Sequence, residues 1–231
     1  MSGAGTRTQI AAGMIACEGP ASARDARVLT IEDLTRSFGA RRALRRLNLA
    51  VDGGERVAVC GPNGSGKTTL LRCIAGTVKP TSGRIRIFGH EAGTLEARRF
   101  VGVSLSQERS FYLRLSGREN LLFFARARGQ GHREAARKVT SLSEELELGD
   151  TVAQRVDRCS TGMVQQLALA RALLGDPALL LLDEPTRSLD RGAFGRLWAA
   201  LDRRPSTAVL IATHNEEDVE RCKQRVDLAP S

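Results

Sequence analysis

The sequence predicts an α/β protein: a mainly parallel sheet covered on both faces, a small antiparallel β part on its N-terminal side, and an inserted helical subdomain. Three observations carry this. Arg56-Val57-Ala58-Val59-Cys60 runs through a glycine-rich loop straight into an apolar helix. Two further apolar runs, Pro177 to Leu182 and Ala208 to Ala212, end abruptly in polar residues. Strands without polar alternation are those buried on both faces, as in parallel sheets covered by helices. Residues from about Ser116 to Leu148 carry leucines at helical spacing between these strands. A chain of 231 residues suffices for one such domain with a sizeable core.

Taken in order, residues 1 to 27 are rich in Ala, Gly, Ser and Thr and broken by Gly19-Pro20, so they read as a mobile tail. Met14-Ile15-Ala16-Cys17 faintly resembles a lipoprotein cleavage box. The apolar stretch before it is short and interrupted by Thr8 and Gln9, against a secretion signal. A single domain is expected over 28–231. Val28-Leu29-Thr30-Ile31 and Leu47 to Val51 alternate as strands of a half-buried sheet. Asp52-Gly53-Gly54-Glu55 is a turn into the strand Arg56 to Cys60, and the helix after the glycine loop ends near Gly76. A helical insert is expected over about 108–160, with Gly129-Gln130-Gly131-His132 separating two helices. His90 and His132 fall in turn-like stretches and read as surface residues.

Hydrophobic residues make up 42% and charged residues 26%, a globular balance that excludes wholesale disorder. No apolar run reaches the roughly 20 residues of a membrane span. Five cysteines, odd in number and without a C-x-x-C pair, argue against a disulfide framework or zinc site. The net charge is +9, and with only four lysines among 35 basic residues, 31 are arginine. They are scattered among acidic residues, whereas a nucleic-acid footprint is a patch or stripe, so no specific nucleic acid is expected as a partner. A basic surface of this kind is solvated, or lies near anionic headgroups.

Gly61-Pro62-Asn63-Gly64-Ser65-Gly66-Lys67-Thr68 fits G-x-x-x-x-G-K-[ST] between a strand and a helix, the context that gives the pattern its meaning. Glycines let backbone N–H groups converge on phosphate oxygens, and the following helix aims its positive end at them. Lys67 places a point charge on the β- and γ-phosphates, the Thr68 hydroxyl is a magnesium ligand, and Thr69 follows in the same turn. The chain is therefore expected to bind a nucleoside triphosphate on a P-loop NTPase core. Leu179-Leu180-Leu181-Leu182-Asp183-Glu184 supplies two carboxylates at the carboxyl end of a buried strand, where ligands of open α/β sheets sit. Asp183 would hold magnesium directly or through water, and Glu184 is the candidate general base for the attacking water. A turn-capping role at Pro185 is the alternative for Glu184.

In this order the pieces resemble the ATP-binding subunit of ABC transporters, over roughly Val28 to Asp227. Cys159-Ser160-Thr161-Gly162-Met163-Val164-Gln165-Gln166 is similar to the family's signature, usually Leu-Ser-Gly-Gly-Gln. Cys, Thr and Met depart from that pattern, while Ser160 and Gly162 keep it. The resemblance implies that this segment reaches across a dimer to the γ-phosphate on the other subunit, where a hydroxyl, N–H groups and a helix end can serve an oxyanion. It further implies that Gln107 contacts magnesium and couples the core to the helical subdomain, and that Asp190, in Ser188-Leu189-Asp190, crosses the dimer interface. His214 would be the switch histidine near the γ-phosphate, and Phe38 would stack on adenine. Apart from the resemblance, Gln107 and Asp190 would be surface polar residues and Phe38 a core residue.

The resemblance thus implies an ATPase using ATP and Mg²⁺, paired with itself or a sister subunit. It would serve a separate membrane-spanning permease at the cytoplasmic face of the cell membrane. The segments 108–112, 115–121 and 184–190 look like the ABC-2 export subgroup. Phe111, Tyr112, Leu113 and Leu115 would form part of the groove for the partner, or else close the insert's own core. The chain stops soon after His214, where relatives usually continue, which would weaken the last sheet edge. Two rivals differ in class. A soluble ATPase acting on ribosomes or nucleic acid usually carries two ATPase units or a long coiled-coil insertion, and this chain has neither. A weakly hydrolysing regulatory subunit would fit the altered signature.

Overall fold

The computed structural model describes residues 26–105 and 111–229. The expected tail up to residue 25, with Cys17, lies outside the described residues, as does Gln107 with its neighbours at 106 and 108–110. Two sheets form. β1 (Arg27–Phe38), β2 (Arg41–Asp52), β4 (Ser82–Ile87) and β5 (His90–Glu91) make an antiparallel sheet of order β2-β1-β4-β5. β3 (Arg56–Cys60), β6 (Val101–Ser104), β7 (Leu179–Asp183), β8 (Ala208–Ala212) and β9 (Gln224–Asp227) make a parallel sheet of order β6-β7-β8-β3-β9.

β1 and β2 are longer than the short apolar runs suggested, at 12 residues each. Arginines occupy much of the solvent side (Arg41, Arg42, Arg45, Arg46), which hides the strand pattern from a reading of apolar residues alone. The pairing slips at bulges near Asp33 and Arg46, both at positive φ.

The leucine run of β7 explains itself by its two faces. Leu179 and Leu181 join the core of α1 (Lys67–Ile74) and the antiparallel sheet, with Leu70, Leu71, Ile31 and Ile85. Leu180 and Leu182 point into a second core with α6 (Thr161–Leu173) and α7 (Arg191–Asp202), built on Leu167, Leu173, Leu197 and Trp198. β8 divides likewise, Ala208, Leu210 and Ala212 to the first core, Val209 and Ile211 to the second. Period-two side-chain placement makes every residue of a doubly covered strand apolar.

Between β6 and α6 lie α3 (Gly117–Ala127), α4 (His132–Glu145) and the short α5 (Asp150–Ala153). Ser116 caps α3 in a reciprocal box with Glu119. Leu121, Ala125, Val139 and Leu142 of these helices belong to the second core, so the insert is anchored to α6 and β7. Three small elements complete the described residues: α2 (Leu95–Arg99), a 3-10 turn (Val156–Arg158) and α8 (Glu216–Glu220). β9 pairs four residues with β3, so an edge strand does follow His214. Among the described residues no helix is long and apolar enough to cross a membrane.

Candidate functional site

β3, β7 and β8 end on one edge of the parallel sheet, and their following loops meet the β1–β2 turn around a cleft of about 460 Å³. Asn63, Gly64, Gly66, Lys67, Thr68 and Thr69 line it from the phosphate loop and α1. Phe38, at the end of β1, and Asp183, Glu184 and His214 line it from other elements. Ten of the expected residues are thus brought together from four parts of the chain. Gly61, Pro62 and Ser65 complete the loop behind this lining.

The loop needs its glycines. Gly66, at φ 101, caps α1, and a Cβ there would meet the Ala43 carbonyl at 2.4 Å. Gly61, at φ 143, would place a Cβ 2.6 Å from the Leu228 carbonyl and 2.6 Å from Ser65 Oγ. With glycine at its cap, α1 has no side chain on its first N–H groups and no acid in its first turn. Those donors and the positive helix end are left to an anion. The buried Ser65 hydroxyl is likewise without a hydrogen-bond partner among the described residues. Lys67 Nζ donates to the carbonyls of Gly61 (2.7 Å) and Pro62 (3.3 Å), held inside the loop where phosphates would compete for it.

Thr68 Oγ1 donates to Asp183 Oδ2 at 2.8 Å, joining α1 to the end of β7. These are two hard oxygen donors at one point, the chemistry that suits magnesium. Among the described residues no cluster of three acidic, histidine or cysteine ligands occurs. Apart from Gln107, which lies outside the described residues, a magnesium ion at Thr68 and Asp183 would draw its other ligands from phosphate and water, as this ion usually does.

Glu184 follows Asp183 in the left-handed region at φ 49, unusual for a residue with a Cβ. Its N–H donates to the Ala212 carbonyl (2.8 Å) and its own carbonyl accepts Gln165 Nε2 (2.8 Å). The side chain is 10% exposed, and Oε1 lies 2.8 Å from His214 Nδ1 without an aligned hydrogen bond. Burial raises the Glu184 pKa above its ordinary 4.5, against the lowering pull of His214 and Lys67 and with a further push from Asp183. A base moved toward neutrality is better matched to accepting a proton from water.

The same shift has a sign for stability. The folded chain binds the Glu184 proton more tightly than the unfolded one, a contribution present at low pH and lost as pH rises through the raised folded pKa. The ionised form at neutral pH thus costs stability that a glutamine would not lose. Glu184→Gln is expected to raise the melting temperature at pH 8, with the gain shrinking as the pH falls toward 4. Thermal melts across that range read the effect, and equal gains at both ends would exclude burial as its cause.

Phe38 is 48% exposed, with the Arg36 guanidinium 4.2 Å from its ring centre. An aromatic ring has two faces, and Arg36 covers one. Ser160, Gly162 and Asp190 are absent from the cleft lining. Ser160 caps α6, accepting the Met163 N–H at 3.2 Å, and no acid sits in that first turn. A Cβ on Gly162 would lie 2.6 Å from the Ser188 carbonyl, so the start of α6 packs directly on the Ser188–Asp190 loop. Asp190 caps α7 through the Ala193 N–H at 2.8 Å. The aromatic segment divides: Phe111 packs on Phe124 and beneath Arg171, whereas Tyr112, Leu113 and Leu115 are exposed.

Sequence reasoning passed over several residues. Arg41 and Arg187 line the cleft, and Arg41 donates to the Gly64 carbonyl at 2.8 Å. Both looked like two more arginines in an arginine-rich chain. Gln165 holds Glu184 through its backbone, a contact that no local pattern announces.

Residues 44–187 match the family described as ABC transporter. The chain is 34% identical over 202 residues to the ABC transporter ATP-binding protein NatA of Bacillus subtilis (strain 168), covering 84% of this chain and 82% of that protein. It is 35% identical to the Nod factor export ATP-binding protein I of Rhizobium sp. (strain N33), covering 86% of this chain but 66% of the relative's length. A dimeric structure of the ATP-binding cassette MJ0796 in a post-hydrolysis state with ADP and Pi superposes with a TM-score of 0.75. It is 26% identical and covers 87% of this chain and 94% of its own.

Proposed function

This chain belongs to the ABC transporter family as an ATP-binding, ATP-hydrolysing subunit, and from that premise we propose that it drives export through a separate membrane-spanning permease as one half of a nucleotide sandwich. The separation of two half-sites carries the reading. The cleft holds the phosphate loop, the acid pair and His214, while the capped start of α6 lies away from it with a hydroxyl proton and helix N–H groups to offer. Closing the first half-site with the second requires another chain. The dimer of the similar cassette supports that arrangement.

In this reading Phe38 stacks on the adenine and Gly61 to Thr69 cradle the phosphates. Lys67 exchanges its loop carbonyls for phosphate oxygens. Magnesium, when bound by Thr68, Asp183 and Gln107, would neutralise phosphate charge. Glu184 takes the proton from the water whose oxygen bonds to the γ-phosphorus as the bond to the ADP oxygen breaks. His214, beside Glu184, orients that carboxylate and faces the γ-phosphate. Ser160 and Gly162 of the opposite subunit close over the same phosphate, with Asp190 at the interface. Outward direction, and the ABC-2 subgroup, rest on the likeness to a Nod factor export protein and on segments 108–112, 115–121 and 184–190. The exposed Tyr112, Leu113 and Leu115 are the proposed contact for the permease, and the cytoplasmic face of the membrane is the proposed place of action.

Affinity purification of the tagged chain from gently solubilised membranes tests this. A polytopic membrane protein is expected to copurify. Ribosomes or nucleic acid in its place, surviving moderate salt, would contradict the transporter reading.

A further inference from the structure

We infer that Asp218, which lines no part of the cleft, is the positioning residue that fixes Glu184 and His214 relative to each other; this rests on the hydrolytic roles proposed for that pair. Asp218 is fully buried at the start of α8. Its Oδ2 accepts two hydroxyl protons, from Thr186 at 2.6 Å and from Thr213 at 3.0 Å. Thr186 stands two residues after Glu184, and Thr213 immediately precedes His214. One carboxylate oxygen therefore clamps the two loops that carry the pair.

Asn215 closes the clamp into a ring. Its N–H donates to Thr213 Oγ1 at 3.0 Å and its Nδ2 to Thr186 Oγ1 at 3.4 Å. Each hydroxyl thus gives its one proton to Asp218 and receives from Asn215, which sets the direction of every bond in the ring. The other oxygen, Oδ1, accepts Trp198 Nε1 at 3.3 Å, tying the ring to α7 and the second core. Glu184 needs such support: it sits at φ 49, and its carboxylate meets His214 Nδ1 at 2.8 Å without an aligned hydrogen bond. Two groups on separate loops keep that spacing only if the loops are fixed to each other.

The ring has two arms toward the site, Thr186 and Thr213, and one toward the core, Trp198, which lets a positioning role be told from a structural one. Thr186→Val and Thr213→Val keep shape and remove one hydroxyl each. They are expected to lower kcat by roughly ten- to a hundredfold, the range seen when an orienting partner is lost, with KM for ATP within about twofold because the phosphate loop is untouched. The double variant should fall short of the product of the single effects, since both hydroxyls serve one oxygen. Trp198→Phe removes the core arm and should lower the melting temperature while leaving kcat per folded chain unchanged. Threonine variants that melt earlier yet keep kcat, as expected for Trp198→Phe, would overturn the inference. Glu184→Gln run in the same assay separates the two levels: normal turnover there removes the base assignment itself, whereas a slow Glu184→Gln beside fast threonine variants removes only the role of Asp218.

Discussion

Glu184→Gln is expected to bind ATP with near-unchanged affinity and to hydrolyse it roughly two to four orders of magnitude more slowly, the usual worth of a positioned general base. Glutamine keeps the shape of the side chain and its proximity to His214, but its amide cannot take a proton from water. Carboxylate, raised pKa and neighbouring imidazole occur together at this one residue on the cleft. Single-turnover hydrolysis beside equilibrium ATP binding checks the expectation. Turnover within a few-fold of the parent would remove Glu184 from the role.

Lys67→Ala strikes binding instead. Lys67 is 7% exposed, and its ammonium is held by the Gly61 and Pro62 carbonyls at the head of α1. A charged hydrogen bond to phosphate contributes about 1.5–3 kcal/mol, so ATP affinity should fall roughly ten- to a hundredfold. ADP should lose less, because the lysine reaches the β- and γ-phosphates. Titration calorimetry with both nucleotides reads the difference, and unchanged ATP binding would show that Gly61 to Thr68 is not the phosphate loop.

How much was legible in the sequence follows from how local each signal is. The phosphate loop is contiguous, and its residue types are dictated by backbone approach and helix polarity, so Gly61 to Thr69 could be named before any fold was known. β7 and β8 declared themselves because doubly covered strands are apolar throughout. β1 and β2 are longer than their apolar runs because outward positions hold polar residues, Glu32 and Asp33 on β1 and the arginines on β2, which carry no periodic apolar signal. Other features are long-range. Arg187 reaches the cleft only because β7 ends there, and Asp218 looks like one more acid in the run Glu216-Glu217-Asp218 until packing buries it against Thr186, Thr213 and Trp198. Ser160 was found by motif, but its absence from the cleft lining, on which the proposed two-chain site rests, belongs to the fold.

The nucleotide sandwich is tested most directly by the mass of the Glu184→Gln chain in solution with ATP and magnesium, where slow hydrolysis holds the closed state. Sedimentation should show a species of about twice the 25.0 kDa chain mass with ATP, reverting to one chain with ADP; a sister subunit recovered with the permease would take the second place if a lone chain does not pair. A chain that binds ATP yet stays single, both by itself and in the complex purified from membranes, would contradict a site completed by Ser160 and Gly162 of a second subunit.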